Sequence, residues 1–212
     1  MKRLIIIVEG ATEQEFVNQY LLPYLNTFGI YNVTPIEITT NRQLKKRGGF
    51  VNYEHLRKDI IKALYDNYYV TTFVDFFRIP TNCPKYSNNS ANVDKMQDAI
   101  NADIDNSKFF SYIQLHEFEA LLFSDIKGFE YIIDNDDKAI KEVEKIMKKY
   151  PNPEDINNNP QTAPSKRILS IHPSYEKVAD GNLAIDEIGM NKILEKNPRF
   201  KAWVDKIIET LS

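Results

Sequence analysis

Two rhythms of apolar residues run along this chain. The first is a short unbroken run, Leu4-Ile5-Ile6-Ile7-Val8, closed by Glu9-Gly10. A continuous β-branched run of this length predicts a strand buried on both faces, as in the middle of a parallel sheet. Thr12 followed three residues on by Glu15 has capping-box spacing and predicts a helix start. The second rhythm follows at once. Phe16, Val17, Tyr20, Leu21, Tyr24, Leu25 and Phe28 recur at helical spacing up to Gly29, with Pro23 expected to kink or split the helix. Val33–Thr40 alternates and predicts a second strand, placed at a sheet edge by Pro35. Residues 41–52 read as a basic, glycine-containing loop, and residues 53–67 as a helix with Leu56, Ile60, Ala63 and Leu64 on one face. Tyr68–Asp75 predicts a third strand, again ending in an acid. Residues 77–92, rich in Pro, Asn and Ser, predict a long loop of the kind that is usually functional or mobile. A helix over 93–104 leads to a fourth strand, Phe109–Leu115, after which His116-Glu117-Phe118-Glu119 opens the helical run Ala120–Phe123.

Strands alternating with helices predict an α/β fold with a mainly parallel four-stranded sheet flanked by helices. Beyond residue 125 the pattern turns helical, with helices expected at 137–149, 164–171, 183–195 and 198–210. The expected organisation is a core over 1–125 and a helical C-terminal extension over 126–212, packed on it as one structural unit. A chain of 212 residues with 42% hydrophobic content suffices for a packed core. Its 27 basic and 30 acidic residues give a net charge of -3, so a nucleic-acid contact must come from a local patch and not a global basic field. The single cysteine, Cys83, excludes an internal disulfide and a cysteine-based metal site, which fits a reducing cytoplasm. No run is long enough to cross a membrane and no signal-peptide pattern opens the chain, so a cytoplasmic protein is expected.

Three of the four strands end in acids: Glu9, Asp75 and the Glu117/Glu119 pair. Parallel strands bring such ends to one sheet edge, where open α/β folds bind ligands. Clustered carboxylates repel one another, and a divalent cation relieves this. Oxygen-only donors point to Mg²⁺ or Mn²⁺, which leave coordination positions for water and phosphate oxygens. Plainer roles exist for each: strand-end pairing for Glu9, turn capping for Asp75, first-turn acids for Glu117 and Glu119, packing for His116, and helix capping for Glu13 and Glu15. Two basic features are candidate phosphate holders. Lys166 and Arg167 follow Ala163-Pro164-Ser165 at a helix start, where backbone N–H groups attract anions. Arg42, Lys45, Lys46 and Arg47 lie in the glycine-containing loop.

Val8-Glu9-Gly10-Ala11-Thr12-Glu13 resembles the VEGxTE motif that opens many Toprim domains, including those of OLD-type nucleases. Five further blocks are Tyr69–Asp75, Tyr112–Phe123, Pro153-Glu154-Asp155-Ile156-Asn157, Ala163–Arg167 and Lys177-Val178-Ala179-Asp180-Gly181. Together they resemble the bacterial family called domain of unknown function 4276 over almost the whole chain. The Toprim resemblance implies a Mg²⁺ site at the strand ends, with Glu9 as metal ligand or general base. It also implies an aspartate pair after the third strand. Here Asp75-Phe76-Phe77 keeps only the first, leaving Glu117 or Glu119 as candidate replacement. Lys166 is the equivalent, by residue type, of a lysine that OLD-type nucleases use. Such relatives often work beside an ATPase partner in mobile-element or phage defence. The expected function is a metal-dependent nuclease. The alternatives are a non-catalytic module that binds an ATPase or nucleic acid, and a receiver-like phosphoacceptor, which usually carries an acidic pair where Glu9-Gly10 stands. Homo-oligomerisation is left open.

Overall fold

The computed structural model describes residues 2–41, 46–134, 136–156 and 159–212. Two compact units emerge, Met1–Leu115 with Leu211–Ser212, and His116–Thr210.

The first unit holds β1 (Leu4–Val8), α1 (Ala11–Phe16), α2 (Leu22–Asn26), β2 (Val33–Glu37), β3 (Thr39–Asn41), β4 (Lys46–Arg47), α3 (Tyr53–Tyr65), β5 (Tyr69–Asp75), α4 (Val93–Ile104), β6 (Phe109–Phe110) and β7 (Ile113–Gln114). Its main sheet runs β2-β1-β5-β6, with β7 also on β5, and every pairing in it is parallel. All five residues of β1 are buried, as an interior strand requires. Pro35 lies on the edge strand β2, opposite Ile6, where a missing N–H costs no ladder bond. The fold is therefore α/β with a mainly parallel sheet flanked by helices.

Local departures from the expected elements have visible causes. Pro23 does not break the first helix. A π-helical turn, Val17–Leu21, joins α1 to α2 and takes up the missing hydrogen bond one turn before the ring. The first helix is capped by Glu13, whose Oε2 accepts the Gly10 N–H at 3.0 Å, and not by the Thr12–Glu15 pair. Part of the expected basic loop is a small antiparallel hairpin, with Thr39 opposite Arg47 and Asn41 opposite Lys46. Arg42 and Lys45 lie outside the described residues.

The expected fourth strand is split into β6 and β7 because Thr72 enters the ladder. Its Oγ1 donates to Tyr112 O at 2.8 Å and accepts from Tyr112 N at 2.8 Å. Side chains of α4 satisfy neighbouring amides: Asn101 Oδ1 accepts Ser111 N at 2.7 Å and Gln97 Oε1 accepts Ile113 N at 3.0 Å. The 77–92 loop is pinned, not open. Ile79 and Cys83 are buried in the core beside α3 and α4, and Asn82 Oδ1 accepts the Tyr53 N–H at 3.0 Å.

The second unit is built on a 3-10 turn, Phe118–Ser124, all seven residues of which are buried. Around it lie α5 (Ile126–Ile132), α6 (Asp137–Lys149), a 3-10 turn at Pro153–Asp155, α7 (Pro164–Ile171), α8 (Ala179–Ile188), α9 (Met190–Lys196) and α10 (Pro198–Leu211). The helix expected over 183–195 is two helices. Gly189, at φ 76, ends α8 in a conformation that a side chain resists. Gly128 lets α5 approach α8 closely, since a Cβ there would lie 2.9 Å from Ala184 O and 2.8 Å from Ile188 Cδ1. Among the described residues no helix is long and apolar enough to cross a membrane.

Candidate functional site

In the first unit, two of the expected acids meet at the carboxyl edge of the sheet. β1 and β5 are parallel neighbours in register, Val8 opposite Phe73, so the residues that follow each strand emerge side by side. Glu9 Oε2 accepts the backbone N–H of Asp75 at 3.2 Å. Asp75 is buried on the last position of β5, and Glu9 is half-buried. Glycines from the end of the hairpin close over the same edge: Gly49 N donates to Glu9 O at 2.8 Å and Gly48 N to Ile38 O at 2.9 Å. Glu13, one helical turn on, is buried with its carboxylate on Gly10 N. The edge is thus acidic and backbone-lined. Arg47 is exposed at the end of the hairpin. Tyr53, a residue type suited to stacking on bases, is instead buried and donates to Asp103 Oδ2 at 2.8 Å.

The remaining expected acids belong to the second unit, and each is engaged there. Glu117 takes the N-terminus of α7: its Oε2 accepts Ser165 N at 3.0 Å and its Oε1 accepts Ser165 Oγ at 3.0 Å. The helix start expected to hold a phosphate therefore receives an internal carboxylate. Lys166 is exposed in that first turn, and the Arg167 guanidinium lies 5.3 Å from the centre of the Tyr150 ring while its Nε donates to Thr162 O at 2.7 Å. Glu119 is completely buried, with Lys177 Nζ 3.3 Å away. Burial pushes the Glu119 carboxyl above its usual range; Lys177 opposes the shift and Glu117 adds to it. The Tyr175 hydroxyl nearby is likewise raised, first by burial and then by Glu119. Gly181 leaves it room, because a Cβ at that position would lie 3.0 Å from the Tyr175 hydroxyl.

Two further contacts complete this network. His116, at φ 71, donates from Nε2 to Glu154 O at 2.9 Å. Glu154 in turn caps α10, accepting Arg199 N at 3.1 Å and Phe200 N at 2.9 Å. The segments containing His116, Glu117, Glu119, Glu154, Ser165, Lys177 and Gly181 lie far apart in sequence, and in this unit they converge on one buried 3-10 turn. A family model for a domain of unknown function, DUF4276, matches residues 8–208.

The chain belongs to the DUF4276 family. No curated protein and no solved structure matches it. Among the described residues, no three His, Cys, Asp or Glu side chains gather as a metal-holding group. The two units of this DUF4276 chain therefore differ in character. The first sets the Glu9 carboxylate against the backbone of Asp75 at a sheet edge, and the second commits Glu117 and Glu154 to helix ends and sets Glu119 beside a lysine. Sequence reasoning missed the roles of Glu154, Ser165 and Lys177, although each falls within a block that carries the family resemblance.

The His116 contact makes a prediction about pH. Burial holds its pKa below the ordinary 6.5, against the carbonyl of Glu154. With Nε2–H donating, acid must protonate Nδ1, which is buried and has no hydrogen-bond partner among the described residues. A depressed folded pKa means the unfolded chain binds the proton first, so stability is present above 6.5 and lost as pH falls through the folded value. Urea midpoints are expected to drop from neutral pH to mildly acidic pH, and a His116→Asn chain to drop less. Equal losses in the two chains would show that another group controls the change.

Proposed function

We propose that this chain is a Mg²⁺- or Mn²⁺-dependent phosphodiesterase of Toprim-like type that cuts nucleic acid, with Glu9 and Asp75 as its metal-holding carboxylates. The observation that carries this reading is the 3.2 Å contact between the Glu9 carboxylate and the Asp75 backbone at the ends of adjacent parallel strands. Open α/β sheets bind ligands at this edge. The donor set fits the ion. Both groups are hard oxygen donors, and Mg²⁺ is commonly held by one or two carboxylates with water and phosphate filling the other positions. When bound, the metal would polarise the phosphate and lower the pKa of a coordinated water. Phe77 stands where a second aspartate would follow Asp75, which favours a single-metal arrangement. Glu117 and Glu119 are assigned structural work by their contacts with Ser165 and Lys177. Lys166 remains, by residue type, the candidate for stabilising charge on the phosphate. Action beside an ATPase partner in phage or mobile-element defence is what the resemblance to OLD-type proteins implies, and the single cysteine fits a reducing cytoplasm.

A second reading is a non-catalytic binding module. One observation favours it: Glu9 already accepts a backbone hydrogen bond, as a purely structural strand-end acid does. One experiment separates the two. The purified chain is titrated with Mn²⁺, read by electron paramagnetic resonance of the free ion, and incubated with single-stranded and duplex DNA and RNA with and without chelator. The nuclease reading expects Mn²⁺ binding and chelator-sensitive cleavage of at least one substrate. Absence of both leaves the binding module.

A further inference from the structure

Lysines recur along α6 at positions 138, 141, 145 and 148, a spacing that puts them on one helix face. At 3.6 residues per turn these four span an arc of about 80°, and Lys149 falls about 20° from Lys138. All five are exposed, whereas Ala139 and Val143 on the opposite face are buried. The arc itself contains lysines alone, while Asp137 and Glu142 flank it about 20° beyond its edges and Glu142 and Glu144 line the same surface as the lysines. Glu142 pairs with Lys145 at 2.6 Å, and no ion pair is seen for the other four among the described residues. From Lys138 to Lys148 the strip is about 15 Å long. At its end, Lys149 Nζ and Arg167 Cζ lie 5.1 and 5.3 Å from the centre of the same Tyr150 ring, which adds a sixth cation. A chain of net charge -3 has thus gathered one strongly basic face.

We infer that this lysine face of α6 is a sequence-independent docking strip for the sugar-phosphate backbone of a nucleic acid. The chemistry of the face selects this occupant. A helix that lies in a membrane interface sets apolar side chains beside its lysines, and this arc has none. A stable protein partner needs a buried apolar centre of contact, which the arc also lacks. A phosphate backbone requires only regularly placed positive charge, and about 15 Å of duplex axis carries roughly four to five phosphates on each strand. The inference rests on the part of the proposed reading in which this chain engages nucleic acid, and it names a surface that binds it. It does not require Glu9 and Asp75 to cleave.

The test measures fluorescence anisotropy of labelled single-stranded and duplex oligonucleotides in chelator, so that no cleavage intervenes. Four lysine contacts to duplex correspond to a log–log salt slope of about -3.6, or about 150-fold weaker binding on going from about 50 to about 200 mM salt. A Lys138→Gln/Lys141→Gln/Lys145→Gln/Lys148→Gln chain is expected to bind at least about tenfold more weakly at the lower salt and to lose most of that slope. Glutamine matches lysine closely in helix propensity, and circular dichroism verifies that the fold is kept. The same four positions changed to arginine should retain binding, as should a Lys192→Gln/Lys196→Gln/Lys201→Gln control. Unchanged binding in the α6 glutamine chain overturns the inference. So does binding to phosphatidylserine vesicles through these lysines without binding to oligonucleotides. Lysine-dependent binding without any metal-dependent cleavage keeps the strip and removes the nuclease. Cleavage by a chain whose binding ignores these lysines does the reverse.

Discussion

If the chain is the proposed metal-dependent phosphodiesterase, a Glu9→Gln variant is expected to keep its fold and to lose divalent-dependent cleavage by about 100-fold or more. The expectation follows from two separable jobs of one side chain. Glu9 Oε2 accepts the Asp75 N–H at 3.2 Å, a neutral hydrogen-bonding task that an amide oxygen also performs. Holding a hard cation beside Asp75, or accepting a proton, requires the negative charge that glutamine lacks. Alanine removes both. It leaves the Asp75 N–H without this acceptor at a largely buried strand end, a loss of about 1–3 kcal/mol of stability. Glu9→Ala alone would therefore confuse a damaged sheet edge with a lost ligand. The paired measurement is cleavage rate and thermal midpoint for both variants and for Asp75→Asn. Glu9→Gln cutting at the parent rate would remove Glu9 from the chemistry. A normal midpoint with no cleavage is the pattern the proposal requires.

How much of this was legible depends on how local the cause is. β1 could be read because five consecutive apolar residues leave no face for water, and Pro35 marked its edge neighbour because the missing donor is a property of one residue. The break between β6 and β7 could not be read. It depends on a hydroxyl from Thr72 and on side-chain amides of α4 that reach Ser111 and Ile113 from ten and 16 residues away. The acids behave in the same way. Glu9 and Asp75 could be placed at one edge because parallel register brings strand ends together. Glu117 and Glu119 looked alike in sequence, yet their neighbours are Ser165 and Lys177, some 48 and 58 positions later. Only the folded unit reveals that one is a helix cap and the other a buried carboxyl beside an exposed lysine. The α6 lysines are the opposite case. Their spacing of three, four and three is a local signal, visible without a structure.

Glu154→Ala is expected to cost about 3 kcal/mol of stability, with Glu154→Gln costing less. Pro198 opens α10 and brings no N–H, so the next two amides, of Arg199 and Phe200, are the orphan donors of this helix. Both are answered by one carboxylate, from a residue some 45 positions earlier. Phe200, Val204 and Ile207 on this helix are fully buried, so water cannot substitute fully at its first turn. Losing the bond to the part-buried Arg199 amide is worth about 1 kcal/mol, as for an ordinary cap. Leaving the buried Phe200 amide unsatisfied costs about 1–3 kcal/mol, and the two together reach the stated figure. Burial pushes the Glu154 carboxyl above its ordinary range, and the Arg199 and Phe200 amides oppose that shift. Glutamine preserves one acceptor oxygen and the size of the side chain, so it should recover a good part of the loss. For a chain of this length, about 3 kcal/mol lowers the thermal midpoint by roughly 6–12 °C. Urea and thermal unfolding of the two variants decide the matter. An alanine chain as stable as the parent would show that the first turn of α10 is held by its apolar face alone.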